Sequence, residues 1–294
     1  MKFDKNYQFK WDFKNLSYGT DEKQKLDIYI PKKEKTHAII YIHGGAYFSG
    51  NKMQYPSFLA NYSDNVIASI DYRVINENNN IHMGDMLSDI NDAINRIVEF
   101  SFDKGVNICD LILIGHSAGG HLSLLYGYKF PIRIAACISL AGPTDFTDDT
   151  GWSSMPMWGE TIETRLAFMS WMGSRLTRYN IELKQNDWTK QKNYFSFEKH
   201  VKYISPIMYV SEYNRIPATL LVHARGDDQV PYSNAVRLYE VLKKLSFEHK
   251  LITTFGYADS HMLGGEVYSD DSPFFFKEQE WVKEAQNWLE KYLE

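Results

Sequence analysis

Gly115-His116-Ser117-Ala118-Gly119 is a G-x-S-x-G pattern, and its context makes it informative. An apolar run precedes it, and Ala118 to Tyr126 can start a helix directly after it. A sharp strand-to-helix turn holds a serine in a strained conformation with its hydroxyl exposed, and small flanking residues let the two arms pass closely. Ser117 is therefore the candidate nucleophile. A serine hydroxyl is weak alone and needs a base, which in turn needs an orienting acid. In this type of fold both follow the serine, acid first. His249 and His261 are the histidines beyond residue 223. His249 opens an apolar run and reads as a strand start. His261 lies in Ala258-Asp259-Ser260-His261-Met262-Leu263-Gly264, a loop where a base should emerge. For the acid, Asp227 has the D-x-x-V-P spacing and is preferred. Asp228 remains the neighbouring alternative, facing solvent or capping the next helix. His43-Gly44-Gly45-Ala46-Tyr47 is a glycine-rich turn ahead of the elbow. The N–H groups of Gly45, Ala46 and Ala118 are the candidate donors of an oxyanion hole, which needs two or three.

These residues need a scaffold. Lys25 to Ile30 alternates polar and apolar, as a half-buried strand does. The stretches 37–42, 66–70, 110–114, 134–140 and 218–223 are apolar on both faces, which a parallel sheet covered by helices requires. Between them, Asp85 to Val98 places Met86, Ile90, Ile94 and Ile97 on one helical face. Ser233–Leu245 and Lys277–Tyr292 behave similarly. Strand, helix, strand, helix is the order of an α/β fold, here one domain over residues 1–294. Residues 143–205 interrupt the alternation with Trp152, Trp158, Trp171, Trp188 and Met155, Met157, Met169, Met172. The segment reads as a helical cap insertion over the C-terminal edge of the sheet; an ordinary crossover on its side is the alternative.

With 294 residues, 44% apolar and 23% charged, the composition is ordinary for a globular chain. The net charge of −5 (32 basic against 37 acidic residues) argues against a nucleic-acid partner. No stretch reaches 18 apolar residues, so no membrane span is expected. The opening residues do not read as a secretory signal. Cys109 and Cys137 read as small buried residues, which places the protein in a reducing compartment, the cytoplasm. Neither a nucleotide P-loop nor H-E-x-x-H occurs, so neither metal nor cofactor is expected. Asp148-Asp149 and Asp270-Asp271 could hold a cation, but solvated loop acids are the commoner reading of such pairs. An oligomer is possible on this composition.

His43-Gly44-Gly45-Ala46, Asp71-Tyr72-Arg73, Gly115 to Gly120, Asp227 with Val230-Pro231, and His261 together resemble the hormone-sensitive-lipase-like esterases. The resemblance implies an α/β-hydrolase fold: a mostly parallel central sheet with helices on both faces. It implies that His43, with Gly44, supports the hole and that Asp71-Tyr72-Arg73 is a structural turn. His116 and His121 flank the serine on the wrong side of the order for the base and read as packing or helix-surface residues. The chain departs from the group at Ala46, which replaces a glycine and is expected to keep a negative φ. His-Gly-Gly-Ala plus an aromatic also resembles the kynurenine formamidase branch. A proline expected after Arg73 is missing. The expected function is a serine hydrolase acting, through an acyl-enzyme, on small-molecule carboxylic esters with small or medium acyl groups. Arylformamidase and small peptidase are the alternatives, with a catalytically silent ligand-binding member of the fold as the reading from another class.

Overall fold

The apolar runs do pair side by side. The computed structural model describes residues 9–131, 133–177, 200–266, 269, 272–276 and 279–293. Its centre is an eight-stranded sheet: β1 (Phe13–Ser17), β2 (Lys25–Tyr29), β3 (Lys35–Ile42), β4 (Val66–Ile70), β5 (Asn107–His116), β6 (Ile134–Leu140), β7 (Ala218–Ala224) and β8 (His249–Thr254). Their order is β1-β2-β4-β3-β5-β6-β7-β8. From β4 across to β8 every pairing is parallel, while β2 runs antiparallel to both neighbours. This is the α/β-hydrolase arrangement that the resemblance implied.

Alternation within each strand sends side chains to two separate cores. In β3, Ile40 and Ile42 join α1 (Met83–Asp103), α2 (Ala118–Lys129) and α5 (Tyr232–Lys244) on one face. Ile39 and Tyr41 point to the other face, with α6 (Glu280–Glu290) and the short 3-10 helix Ser57–Tyr62. The expected stripe of α1, Met86, Ile90, Ile94 and Ile97, is buried. Its first turn is closed by a capping box between His82 and Asp85. In α2, every residue from Ala118 to Tyr128 is buried. That is why this helix carries no amphipathic stripe in the sequence.

β1 was not expected. Its residues are mostly exposed, it bulges between Phe13 and Leu16, and Asn15 has φ 56°. An edge strand with neither face buried shows no alternation to read. The Asn15 N–H donates to Asp27 Oδ1 at 2.8 Å, which holds the bulge against β2.

The connection from β6 to β7 contains α3 (Asp149–Ser153), a 3-10 turn at Pro156–Trp158 and α4 (Ile162–Thr177). Met155, Met169, Met172 and Leu176 extend the core on the α1 side. The chain re-enters through 3-10 turns at Lys202–Ile204 and Pro206–Tyr209. Trp188 and the pair Asp270-Asp271 lie outside the described residues.

Candidate active site

β5 ends at His116 and α2 begins at Ala118, so the whole reversal falls on Ser117, at φ 53° and ψ −122°. A side chain there is strained unless its surroundings hold it. They do: the Ser117 N–H donates to Leu140 O of β6 at 2.8 Å. A Cβ on Gly119 would collide with the carbonyl oxygen of Ile42, so only glycine lets α2 start this close to β3.

His261 sits in the turn after β8, 4% exposed. Its Nε2 is 2.8 Å from Ser117 Oγ. Its Nδ1 lies 2.9 Å from Asp227 Oδ2 and 3.1 Å from Oδ1. An ionised carboxylate only accepts, so Nδ1 carries the proton and Nε2 is left to accept from the serine hydroxyl. Asp227 follows β7, and its Oδ1 also accepts the N–H groups of Gln229 and Val230, each at 2.9 Å. Burial pushes this carboxyl up, but hydrogen bonds from His223 and His261 outweigh it and hold it well below the usual carboxylate range. Asp228 is exposed and does not cap α5, whose N-cap is Pro231. His249 donates Nδ1–H to Phe247 O at 2.6 Å, at the far end of β8.

The turn after β3 differs from expectation at Ala46. Its φ is +51°, and it stands between Gly45 at +105° and Tyr47 at +71°. Three successive left-handed residues arise because Gly45 O accepts from both Phe48 N and Ser49 N at 3.0 Å, closing a tight turn. Burial of the Tyr47 ring, 2% exposed, offsets the strain. Among the described residues the N–H groups of Gly45 and Ala46 donate to no acceptor. Ala118, as the first residue of α2, has one of the N–H groups that a helix leaves unpaired. Under this turn, His43 Nδ1–H donates to Gly44 O at 2.7 Å and its ring stacks on Tyr72 at 4.3 Å. Burial lowers the His43 pKa to about 4, partly opposed by that hydrogen bond, so the ring is neutral at pH 7. A Cβ on Gly44 would press on His116 O at 2.9 Å and Ser117 Cβ at 3.2 Å, so glycine brings the turn against the serine.

Two supporting histidines were missed by sequence reasoning. His116 turns its side chain from the end of β5 and donates Nε2–H to the backbone carbonyl of His261 at 2.9 Å. His223, in β7, reaches Asp227 Oδ2 at 3.2 Å and Val230 O at 3.1 Å through Nε2. Its place four residues before Asp227 was a signal, but only a turn after β7 brings the two together. His121 donates Nε2–H to Ile204 O at 2.6 Å, which ties the returning β6–β7 connection to α2. Arg73 is not at the site. It forms an ion pair with buried Asp89 at 2.6 Å, as the structural-turn reading expected.

Ser117 and His261 open onto a cavity of about 400 Å³, walled by Phe48, Met157, Trp158, Met262 and Phe274, with Gln54 as a polar lining group. The β6–β7 connection therefore contributes two residues to the wall of the cavity that Ser117 lines. Among the described residues no cluster of three or more metal-ligating side chains occurs, and no helix is long and apolar enough to cross a membrane.

Comparison with known proteins points the same way. The family model BD-FAE matches residues 26–242, a span that includes Gly44 to Ala46, Ser117 and Asp227 and ends before His261. The probable isoprenylcysteine alpha-carbonyl methylesterase of Oryza sativa subsp. japonica is 26% identical over 252 residues, 81% of this chain and 56% of that protein. The kynurenine formamidase of Salmo salar is 28% identical over 117 residues, 38% of this chain and 37% of that protein. The chain thus spans about half the length, or less, of these curated relatives. Esterase B of Lactobacillus rhamnosis superposes with TM-score 0.67 at 17% identity, covering 95% of this chain and 84% of that one. A butyrate-bound thermophilic esterase of Thermogutta terrifontis gives 0.64 at 20% identity, covering 94% and 93%. At these identities the two structures establish the fold.

Proposed function

The chain belongs to the BD-FAE family, an α/β-hydrolase family, and from that premise we propose that it is a serine hydrolase of carboxylic esters. The observation that carries this reading is the unbroken hydrogen-bonded chain Ser117–His261–Asp227, with steps of 2.8 and 2.9 Å, at a serine held with positive φ. In this reading Ser117 Oγ attacks the ester carbonyl carbon as its proton passes to His261 Nε2. The carbonyl π pair moves onto oxygen, and the N–H groups of Gly45, Ala46 and Ala118 receive that charge. The intermediate collapses, the C–O bond to the alcohol breaks, and His261 returns its proton to the departing oxygen. Water, deprotonated by the same nitrogen, then releases the acid and restores the serine. Asp227 stays ionised and stabilises the imidazolium that forms twice per cycle. His43 and Gly44 support the turn that carries two of the donors.

We read the described part of this segment, residues 143–177 and 200–205, as a cap on a single domain, because Met157 and Trp158 wall the cavity; residues 178–199 lie outside the described residues. A space of about 400 Å³ suits a small or medium acyl group. The curated relative from rice is named for a methylester, which fits a small leaving alcohol here. The free thiols, Cys137 buried and Cys109 half-buried, favour a reducing, cytoplasmic setting. The relative named kynurenine formamidase favours a second reading, the same residues acting on an N-formyl aryl amide.

Hydrolysis of p-nitrophenyl esters from acetyl to decanoyl, wild type beside Ser117→Ala, tests the proposal. Turnover that disappears with Ser117→Ala is expected. A folded wild type without turnover on any ester, but active on N-formylkynurenine, would transfer the reading to the amide.

A further inference from the structure

We propose that Trp158 is both a positioning residue for Asp227 and the specificity-determining wall of the cavity, an inference that rests on the esterase reading above. Trp158 belongs to the β6–β7 connection, 69 positions before Asp227 in sequence. Its indole N–H donates to Gln229 O at 2.7 Å. That carbonyl and the Val230 N–H belong to one peptide group, which is planar and directs them oppositely. The Val230 N–H donates to Asp227 Oδ1 at 2.9 Å. A hydrogen-bonded line therefore runs from the indole, through one rigid peptide, to the carboxylate and on to His261 Nδ1 at 2.9 Å from Oδ2. Each bond in such a line polarises the next.

The ring of Trp158 is held just as firmly. It stacks on Phe168 with centroids 4.7 Å apart and planes 4° from parallel. Phe168 meets Trp171 at 5.7 Å, and Trp171 stacks on Phe48 at 5.2 Å. Phe48 follows the Gly44–Ala46 turn and donates its N–H to Gly45 O at 3.0 Å. Four rings thus form a continuous line from the acid loop to the turn carrying the unpaired N–H groups. Trp158 and Phe48, at the two ends, both face the cavity beside Ser117. The indole that steadies the acid is the same one that limits the length of the acyl group.

The test compares Trp158→Phe with Trp158→Leu on the p-nitrophenyl ester series. Trp158→Phe keeps a stacked ring and removes the donor. We expect kcat to fall about tenfold on every ester with KM within about twofold and the same optimum chain length. Trp158→Leu opens the wall as well, so the same loss of kcat is joined by an optimum moved to longer acyl chains. A Phe variant with kcat within about twofold of wild type overturns the positioning role. A Leu variant with an unmoved optimum overturns the wall. If neither variant folds, Phe168→Leu is read instead. It removes the ring on which the indole stacks, so the indole donor is expected to loosen from Gln229 O, lowering kcat, and the wall to give way, lengthening the optimum; kcat and optimum both unchanged there overturn the proposal. Absent wild-type turnover would overturn the esterase reading and this one together, whereas an active wild type with unaltered variants would overturn this one alone.

Discussion

Lowering the pH from 7 to 4 should remove much of this protein's stability, and the reason lies in three buried histidines. Burial lowers His43, His116 and His121 each to about 4. In the unfolded chain each returns to near 6.5. Between these values the unfolded state binds protons that the native state refuses, so stability falls as pH falls. The loss begins near 6.5 and is complete below 4. Three such groups cost about 4 kcal/mol at pH 5.5 and about 8 kcal/mol at pH 4.5. A domain of this kind has roughly 5–15 kcal/mol to lose. Asp227 adds little above pH 5, because its depressed carboxyl is ionised in both states there; its contribution is lost as pH falls further. The assay is tryptophan fluorescence and far-ultraviolet circular dichroism from pH 7 to 3.5, with urea midpoints at each pH. His121→Gln keeps a donor for Ile204 O but does not titrate, so the pH dependence of stability between 6.5 and 4 should shrink by about a third. Urea midpoints that do not fall between pH 6.5 and 4.5 would refute the reasoning, as would a His121→Gln variant with unchanged pH dependence.

Two further outcomes follow from the same contacts. Asp227→Asn removes the ionised partner of His261 Nδ1 and should lower kcat by roughly 10³–10⁴-fold with little change in KM, measured on the best ester. Arg73→Leu leaves the Asp89 carboxylate buried beside Gln24 without its guanidinium and should cost about 3–5 kcal/mol in urea unfolding. Activity per folded molecule should persist in that variant, because the Arg73–Asp89 pair stands away from the cavity; a parallel collapse of kcat at full folding would contradict this.

Much of the molecule is written in short stretches of chain. A run such as Val66 to Ile70 is apolar throughout because both its faces meet helices, and that is a local property of five residues. The stripe of α1 repeats at helical spacing for the same reason. The elbow is local too: Gly115, Ser117 and Gly119 are required by a reversal within five residues. Chain order then narrowed the base to His261 or His249 and the acid to Asp227 or Asp228, and the geometry brings together the first of each pair. Other features depend on partners distant in sequence. β1 has no pattern because neither of its faces is buried, and the antiparallel β2 beside it supplies the pairing. Ala46 adopts a positive φ because Gly45 O closes a tight turn on the N–H groups of Phe48 and Ser49, a contact no property of alanine announces. His116 reaches the His261 carbonyl across 145 positions, and Trp158 reaches Gln229 across 71. Residue type and short-range periodicity thus determined the strands, the elbow and the pool of reactive groups. Only tertiary structure decided which of those groups touch, because contacts between distant residues are selected by the packing of the whole sheet and its helices.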